Sequence, residues 1–293
     1  MNWQIFTPDF ETIENFNDSA WVGHTFFAYD LIRNYKPKVV AELGTHKGTS
    51  FFSMLEASQD GAIAAELNAV DTWRGDEHAG FYSDDVYNSV QATIKKHFPL
   101  ENTKLIRKTF DEANELFKPE TIDILHIDGL HTYDAVKQDY ETWKNKVRPD
   151  GVIMLHDIKV SEFGVKEVWE EIKKDYPDSA VLEFEHSFGL GVLFKDLKRF
   201  KFLADVNTKY LFHAYYKAQW ERYDIRRQNV NYKDEVSALT KELNSTGKYG
   251  VHLNNEIVNL KTEIAHYQGV EAELRTIKKN SLYKVYKKIL PSH

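Results

Sequence analysis

The chain has 293 residues, of which 42% are hydrophobic, so it can bury a large core, and intrinsic disorder is excluded for most of its length. Its 45 acidic and 38 basic residues give a net charge of −7, which argues against a general nucleic-acid binder, because neutralising phosphates requires excess positive charge. The absence of cysteine excludes disulfides, thiolate zinc sites and a cysteine nucleophile. Without a signal-peptide pattern or a membrane-spanning apolar run, the sequence predicts a soluble, cytoplasmic protein.

Five short apolar runs in the first 195 residues alternate with segments of helical periodicity, which is typical of a parallel sheet covered on both faces. Two further runs, AVLEFEH and GLGVLF, are joined by too few residues for a crossover helix and predict an antiparallel hairpin. The predicted fold is α/β: a Rossmann-like, doubly wound, seven-stranded sheet followed by a helical C-terminal region. The predicted strands are Lys38–Leu43, Leu67–Asp71, Lys104–Lys108, Ile122–Ile127, Val152–His156, Ala180–His186 and Gly189–Phe194.

The segment ELGTHKGTS, from Glu42 to Ser50, follows the first predicted strand and leads into a helix. Gly44 permits a sharp turn and Gly48 lets a ligand approach the backbone, while the amides at the start of the helix face the pocket. The spacing is neither that of a P-loop nor that of a complete GxGxxG motif. The segment predicts either a ligand-binding turn or an ordinary tight turn between strand and helix.

Asp71 ends the second predicted strand, where an acidic side chain can hold the ribose hydroxyls of a nucleoside. The alternative is a carboxylate that caps a loop or helix. Together with the glycine turn, Asp71 favours a nucleoside site.

The third cluster consists of HIDGLHTY, residues 126–133, and LHD, residues 155–157. Adjacent parallel strands would bring Asp128 and Asp157 together at one edge of the sheet, with two imidazoles nearby. Converging carboxylates suit a divalent cation, and His131 lies where it could act as a general base. Helix capping by the carboxylates and a structural role for the histidine are the alternatives.

These segments, with RPDGVIMLHDI, resemble a class I S-adenosylmethionine-dependent methyltransferase over roughly residues 20–195. They are most similar to the metal-dependent sugar O-methyltransferases related to the macrocin and mycinamicin enzymes. More distantly, they resemble catechol O-methyltransferase. The IDGxHxY segment followed by the PxGV strand is the most specific part of the resemblance.

The resemblance implies S-adenosylmethionine as cofactor, with His131 as the base and Asp128 beside it as catalytic residues. It implies a divalent metal, Mg²⁺ or Mn²⁺, bound by Asp128, Asp157 and His156. The position of His156 is usually acidic in these relatives, and imidazole favours softer first-row ions over Mg²⁺. The implied cofactor contacts are Glu42, Gly44, Thr45, Gly48, Ser50, Asp71, Thr109, Phe110 and Asp128.

An aromatic and charged loop follows Asp71. Trp73, His78 and Tyr82 in this loop, with Tyr133 from the third cluster, are candidate substrate contacts. The alternative for the loop is that its aromatic side chains fill a small core of its own.

The C-terminal third is divided into three predicted segments: an aromatic helical connector at residues 196–229, a coiled coil at 230–277 and a basic amphipathic tail at 278–293. The simplest interpretation of the aromatic residues is that they lie on a helix that packs on the domain or on a partner subunit. Gly247 and Gly250 predict a break in the coil. The tail suits an anionic membrane surface, with a solvated helix end as the alternative. The predicted heptad positions are Val236, Leu239, Leu243, Thr246, Gly250, Leu253, Ile257, Leu260, Ile264, Tyr267, Glu271 and Leu274.

The sequence thus predicts a homo-oligomeric O-methyltransferase that acts on a sugar hydroxyl of a surface glycan or its precursor. Its partners would be glycan-assembly proteins and the inner face of a membrane, and not nucleic acid. A second hypothesis is a non-catalytic, membrane-tethered coiled-coil scaffold with a degenerate methyltransferase domain. A third is a related protein that performs different chemistry, such as hydroxylation.

Overall fold

The computed structural model describes residues 3–10, 13, 16, 19–76, 80–98, 102–176, 180–246 and 250–279. The chain forms two compact units, one of residues 3–216 and one that begins at Lys217. No helix among the described residues is long and apolar enough to cross a membrane.

A seven-stranded sheet forms the centre of the first unit, with strand order β5-β2-β1-β6-β7-β9-β8. The first five strands are parallel and β9 runs antiparallel to both of its neighbours, which confirms the predicted sheet with its terminal hairpin. The strands are β1 Val39–Leu43, β2 Glu66–Asp71, β5 Thr103–Arg107, β6 Ile122–Ile127, β7 Val147–His156, β8 Ala180–Phe184 and β9 Leu190–Phe194.

Side chains alternate between the two faces of the sheet along each strand, and those on both faces are buried. On one face, α5 and α6 contribute large side chains such as Trp143 and Trp169 to the hydrophobic core. On the other face, Val40, Ile124 and Val152 are also fully buried. The helices of this unit are α1 Thr25–Tyr35, α2 Thr49–Asp60, α3 Asp84–His97, α4 Phe110–Asn114, α5 Tyr133–Trp143 and α6 Val165–Asp175.

A small antiparallel hairpin of β3 (Gly75–Asp76) and β4 (Gly80–Phe81) lies between β2 and α3. It follows Asp71 directly and so stands at the carboxyl end of the sheet. Residues 77–79 of this segment, including His78, lie outside the described residues.

Aromatic side chains from both ends of the first unit pack together. The Trp3 indole stacks on Phe27 and donates a 2.9 Å hydrogen bond to the Tyr216 hydroxyl, which donates to Asp30 Oδ2 at 2.7 Å. Phe212 and Tyr216 are each 1% exposed. The start of α7 (Val206–Thr246) therefore packs on the α/β core, as the simplest interpretation of these aromatic residues predicted.

The second unit contains the remainder of α7 and α8 (Gly250–Lys279). Helices end at Thr246 and begin at Gly250, next to the predicted break. Among the heptad positions, Ile257 is buried and Val236, Leu260, Ile264 and Tyr267 are half-buried. The rings of Tyr232 and Tyr267 stack at 5.7 Å. The coiled coil remains a prediction, and residues 280–293 of the basic tail lie outside the described residues.

Candidate active site

The turn between β1 and α2 depends on two glycines with φ near +90°. A Cβ on Gly44 would lie 1.8 Å from the carbonyl oxygen of Asp128, so no other residue fits where the chain passes so close to Asp128. Gly48 precedes Thr49 at the start of α2, and no side chain of the described residues caps the helix. The first amides of α2 thus remain available to an anionic group.

The Asp71 carboxylate fixes the conformation of this turn. Its Oδ2 accepts hydrogen bonds from the amides of Thr45 (3.0 Å) and His46 (2.8 Å), and its Oδ1 accepts one from the amide of Trp73 (2.7 Å). A carboxylate oxygen can accept more than one hydrogen bond, so Asp71 still has acceptor capacity toward a ligand.

A cavity of about 510 Å³ opens at the carboxyl ends of β1, β2 and β6. This is the expected place for a ligand in an open α/β sheet. The structure brings most of the predicted site residues together in its wall, namely Gly44, Thr45, Gly48, Ser50, Asp71, Tyr82, Thr109, Phe110, Asp128 and His131.

The carboxylates of Asp128 and Asp157 converge on His131. The Nε2 atom of His131 lies 2.8 Å from Asp157 Oδ2 and 3.7 Å from Asp128 Oδ1. Burial acts to lower the pKa of His131, but its close contacts with the carboxylates of Asp128 and Asp157 prevail and raise that pKa to about 9. Among the described residues, Asp128, His131 and Asp157 form a group of possible metal ligands, because their ligand atoms lie within 4.8 Å of one another.

His156 lies behind these carboxylates and does not line the cavity. Its Nδ1 is 3.2 Å from Asp157 Oδ1 and 3.5 Å from Asp128 Oδ1, and its Nε2 is 3.0 Å from the carbonyl oxygen of Ser187. Burial opposes protonation, yet the charges of Asp128 and Asp157 raise the pKa of His156 to about 10. The structure thus places His131, rather than His156, between the carboxylates at the cavity.

Glu42 is fully buried and is absent from the cavity wall. The Trp21 indole N–H donates to His126 Nε2 at 3.0 Å, so Nδ1 of the neutral His126 ring carries a proton and donates to Glu42 Oε1 at 3.0 Å. Trp21 itself lines the cavity. A chain of hydrogen bonds through His126 and Trp21 therefore connects Glu42 to the cavity wall.

The predicted substrate contacts are only partly placed at the cavity. Tyr82 lines it and stacks on His46 with ring centroids 4.9 Å apart. Trp73 lies outside the cavity wall: its side chain is 0% exposed and donates to the carbonyl oxygen of His46. Tyr133 lies outside the cavity wall and donates to Glu171 Oε1 at 2.9 Å.

Sequence reasoning missed three polar side chains at one end of the cavity: Asp111 on α4, and Gln138 and Asp139 on α5. Their signal was the i, i+3, i+4 spacing of Ala135, Gln138 and Asp139, which places them on one face of α5. Burial and the neighbouring Asp111 raise the pKa of Asp139 to about 7.

Residues 41–158 match a family described as a methyltransferase domain. The matched segment includes the glycine turn, Asp71, Asp128 and Asp157.

The chain is also similar to the uncharacterized protein y4gI of Sinorhizobium fredii, with 42% identity over 178 residues. That alignment covers 60% of this chain and 19% of the relative, so the chain spans about a fifth of the length of that protein.

Two solved structures of methyltransferases are similar to the chain. The SAH-bound methyltransferase PaMTH1 of Podospora anserina has 16% identity and a TM-score of 0.47, covering 59% of this chain and 78% of that one. The O-methyltransferase TomG of Streptomyces achromogenes, in complex with SAM, has 13% identity and a TM-score of 0.45, covering 65% and 91%.

Proposed function

We propose that this protein is an S-adenosylmethionine-dependent O-methyltransferase whose acceptor is a sugar hydroxyl. The observation that carries the proposal is that Asp128 and His131 belong both to the cavity wall and to the carboxylate–imidazole group. A cofactor in the cavity would thus meet a group suited to binding and deprotonating an acceptor hydroxyl. The sugar as acceptor class is supported by the resemblance carried by residues 126–133.

The cavity offers a partner for each part of the cofactor. The amides at the start of α2 suit the carboxylate of the methionine moiety, because a helix N-terminus favours an anion. Asp71 would accept hydrogen bonds from the ribose hydroxyls, and the Phe110 ring offers an apolar face to the base.

The residues at the end of the cavity fit a divalent metal. Asp128 Oδ1 and Asp157 Oδ2 would hold it, which leaves the Nε2 lone pair of His131 to act as a base, and carboxylate oxygens suit Mg²⁺ or Mn²⁺. A bound divalent ion would lower the pKa of an acceptor hydroxyl.

The side chains of the protein provide alignment and proton transfer. The sulfonium methyl is already activated, so the domain must hold the acceptor oxygen in line with it and remove a proton from that oxygen. His131, when neutral, accepts this proton at Nε2, and Asp128 and Asp157 stabilise the imidazolium that forms.

Calorimetric titration with S-adenosylhomocysteine, with and without Mn²⁺ or Mg²⁺, tests the cofactor site. We expect micromolar binding to the full chain. No binding under any of these conditions would contradict the proposal and would favour the scaffold hypothesis.

Turnover tests the chemistry. The measurement is release of S-adenosylhomocysteine from S-adenosylmethionine in the presence of nucleotide sugars and methyl glycosides, followed by product mass. Asp128→Asn should lower the rate at least about 100-fold, because it weakens both the metal site and the imidazolium. Asp134→Asn, an exposed aspartate on the first turn of α5, is the matched control and should retain the rate.

A further inference from the structure

The end of the cavity formed by α4 and α5 combines an apolar ring with carboxyl groups. Phe110 provides the ring, and Asp111 and Asp139 provide the carboxyls. Gln138 Nε2 donates to Asp111 Oδ2 at 3.0 Å. Within the described residues, the Asp139 carboxyl has no hydrogen bond or ion pair.

Gly129 packs closely against Phe110 and Asp139. A Cβ at this position would lie 2.6 Å from the Phe110 ring and 3.3 Å from Asp139 Oδ2. The backbone of Gly129 thus lies against both side chains, so a flat apolar surface and a hydrogen-bond acceptor stand side by side. A purine ring with a hydrogen-bond donor on its edge matches this pairing.

The chemistry of Asp139 distinguishes one purine from another. An ionised carboxylate accepts hydrogen bonds and donates none, so it suits an exocyclic amino group and disfavours a carbonyl oxygen at the same position. Adenine carries an amino group at C6, whereas hypoxanthine carries an oxygen there. A site that contains Asp139 therefore selects adenine.

We propose that the Asp139 carboxylate accepts a hydrogen bond from the 6-amino group of the cofactor's adenine ring and thereby determines base specificity. This inference rests on the proposed cofactor site. It assigns a specificity role to a residue of α5 that lies eleven positions after Asp128.

The test compares binding of S-adenosylhomocysteine with that of its deaminated analogue, S-inosylhomocysteine, by calorimetry at pH 8. The wild-type chain should prefer the adenine compound by at least about ten-fold, because a site built for a hydrogen bond rejects a ligand that cannot form it. Asp139→Asn should reduce the preference to near unity by gaining affinity for the inosine compound, since an amide can also donate to the 6-oxygen. A purely structural defect would weaken both ligands and leave the ratio unchanged.

Asp134→Asn on the same helix is the control and should keep the wild-type ratio. Loss of all S-adenosylhomocysteine binding in the wild-type chain would overturn the proposed function together with this inference. Wild-type binding without a preference for adenine, or an unchanged preference in Asp139→Asn, would overturn the inference alone.

A second measurement needs no variant. Asp111 on α4 is the charged neighbour that acts on Asp139, and burial with this repulsion raises the pKa of Asp139 to about 7. The preference of the wild-type chain for adenine should therefore grow between pH 6 and pH 8 as Asp139 ionises. A preference that is constant over this range would contradict the assignment.

Discussion

Asp139 illustrates at the scale of one residue how a binding group can reduce the stability of the domain. Its pKa of about 7 in the folded chain lies above the value near 4 of an unfolded aspartate. The folded state therefore binds the proton more tightly, and the stability that this proton contributes is complete below pH 4 and lost as the pH rises through 7. Ligand sites commonly carry such a cost.

We expect Asp139→Asn to stabilise the domain at pH 8 and to have little effect at pH 4. Solvent screening of this half-buried group limits the gain to roughly 1 kcal/mol, or about 2–4 °C in Tm. Thermal melts at the two pH values, with Asp134→Asn as reference, measure this difference. An equal change at both pH values would contradict the assigned pKa.

At the scale of an element, the turn from β1 to α2 depends on the absence of a side chain at Gly44. Its φ of +90° disfavours any other residue, and a Cβ would collide with the Asp128 backbone. Gly80 in the β3–β4 hairpin has a similar φ of +81°, but a Cβ there would meet nothing within 4 Å. The two glycines thus separate backbone strain from steric collision.

Gly80→Ala should cost about 1–2 kcal/mol in the free energy of unfolding, which is the penalty of the left-handed conformation alone. Gly44→Ala should cost at least about 2 kcal/mol more, because the backbones of β1 and β6 must separate. Urea denaturation measures both. Equal losses in the free energy of unfolding would show that the close contact between Gly44 and the Asp128 backbone tolerates a methyl group.

The elements that the sequence predicts well are those set by local pattern. Runs such as IDILHI contain apolar residues on both faces, so they identify buried parallel strands, and the adjacency of β6 and β7 explains why Asp128 and Asp157 meet. Patterns of this kind do not show which way an aromatic side chain in a loop points, so the sequence could not predict that Trp73 is buried. Asp139 was missed because a polar helix face toward a cavity has the same composition as one toward solvent.

At the scale of the whole molecule, the heptad positions of α8 lie well beyond the segment that matches the methyltransferase family. We propose that this helix forms the contact between copies of the chain in a homo-oligomer. Ile264 is a half-buried heptad position and its neighbour Ala265 is exposed. Ile264→Asp therefore places a charge on the heptad face of the helix, and Ala265→Asp places the same charge at an exposed position.

Ile264→Asp should convert the oligomer to monomer, because a charge in an apolar seam is left unpaired. Ala265→Asp should leave the assembly intact. Sedimentation equilibrium of the full chain and both variants distinguishes these outcomes. A wild-type chain that is monomeric at all concentrations would contradict the proposed oligomer.

The Ser187 carbonyl, which lies close to both His24 and His156, also bears on how the domain is completed during synthesis. His24 Nε2 lies 3.2 Å from this oxygen, across 163 positions of sequence, and Trp3 bonds Tyr216 across 213. Contacts between such distant positions form late, since a long loop must close first. A nascent chain that has emerged only as far as Asp157 carries both carboxylates but lacks the Ser187 carbonyl that His156 contacts. Synthesis of the β8–β9 hairpin is therefore the step that supplies the hydrogen-bond partner of His156.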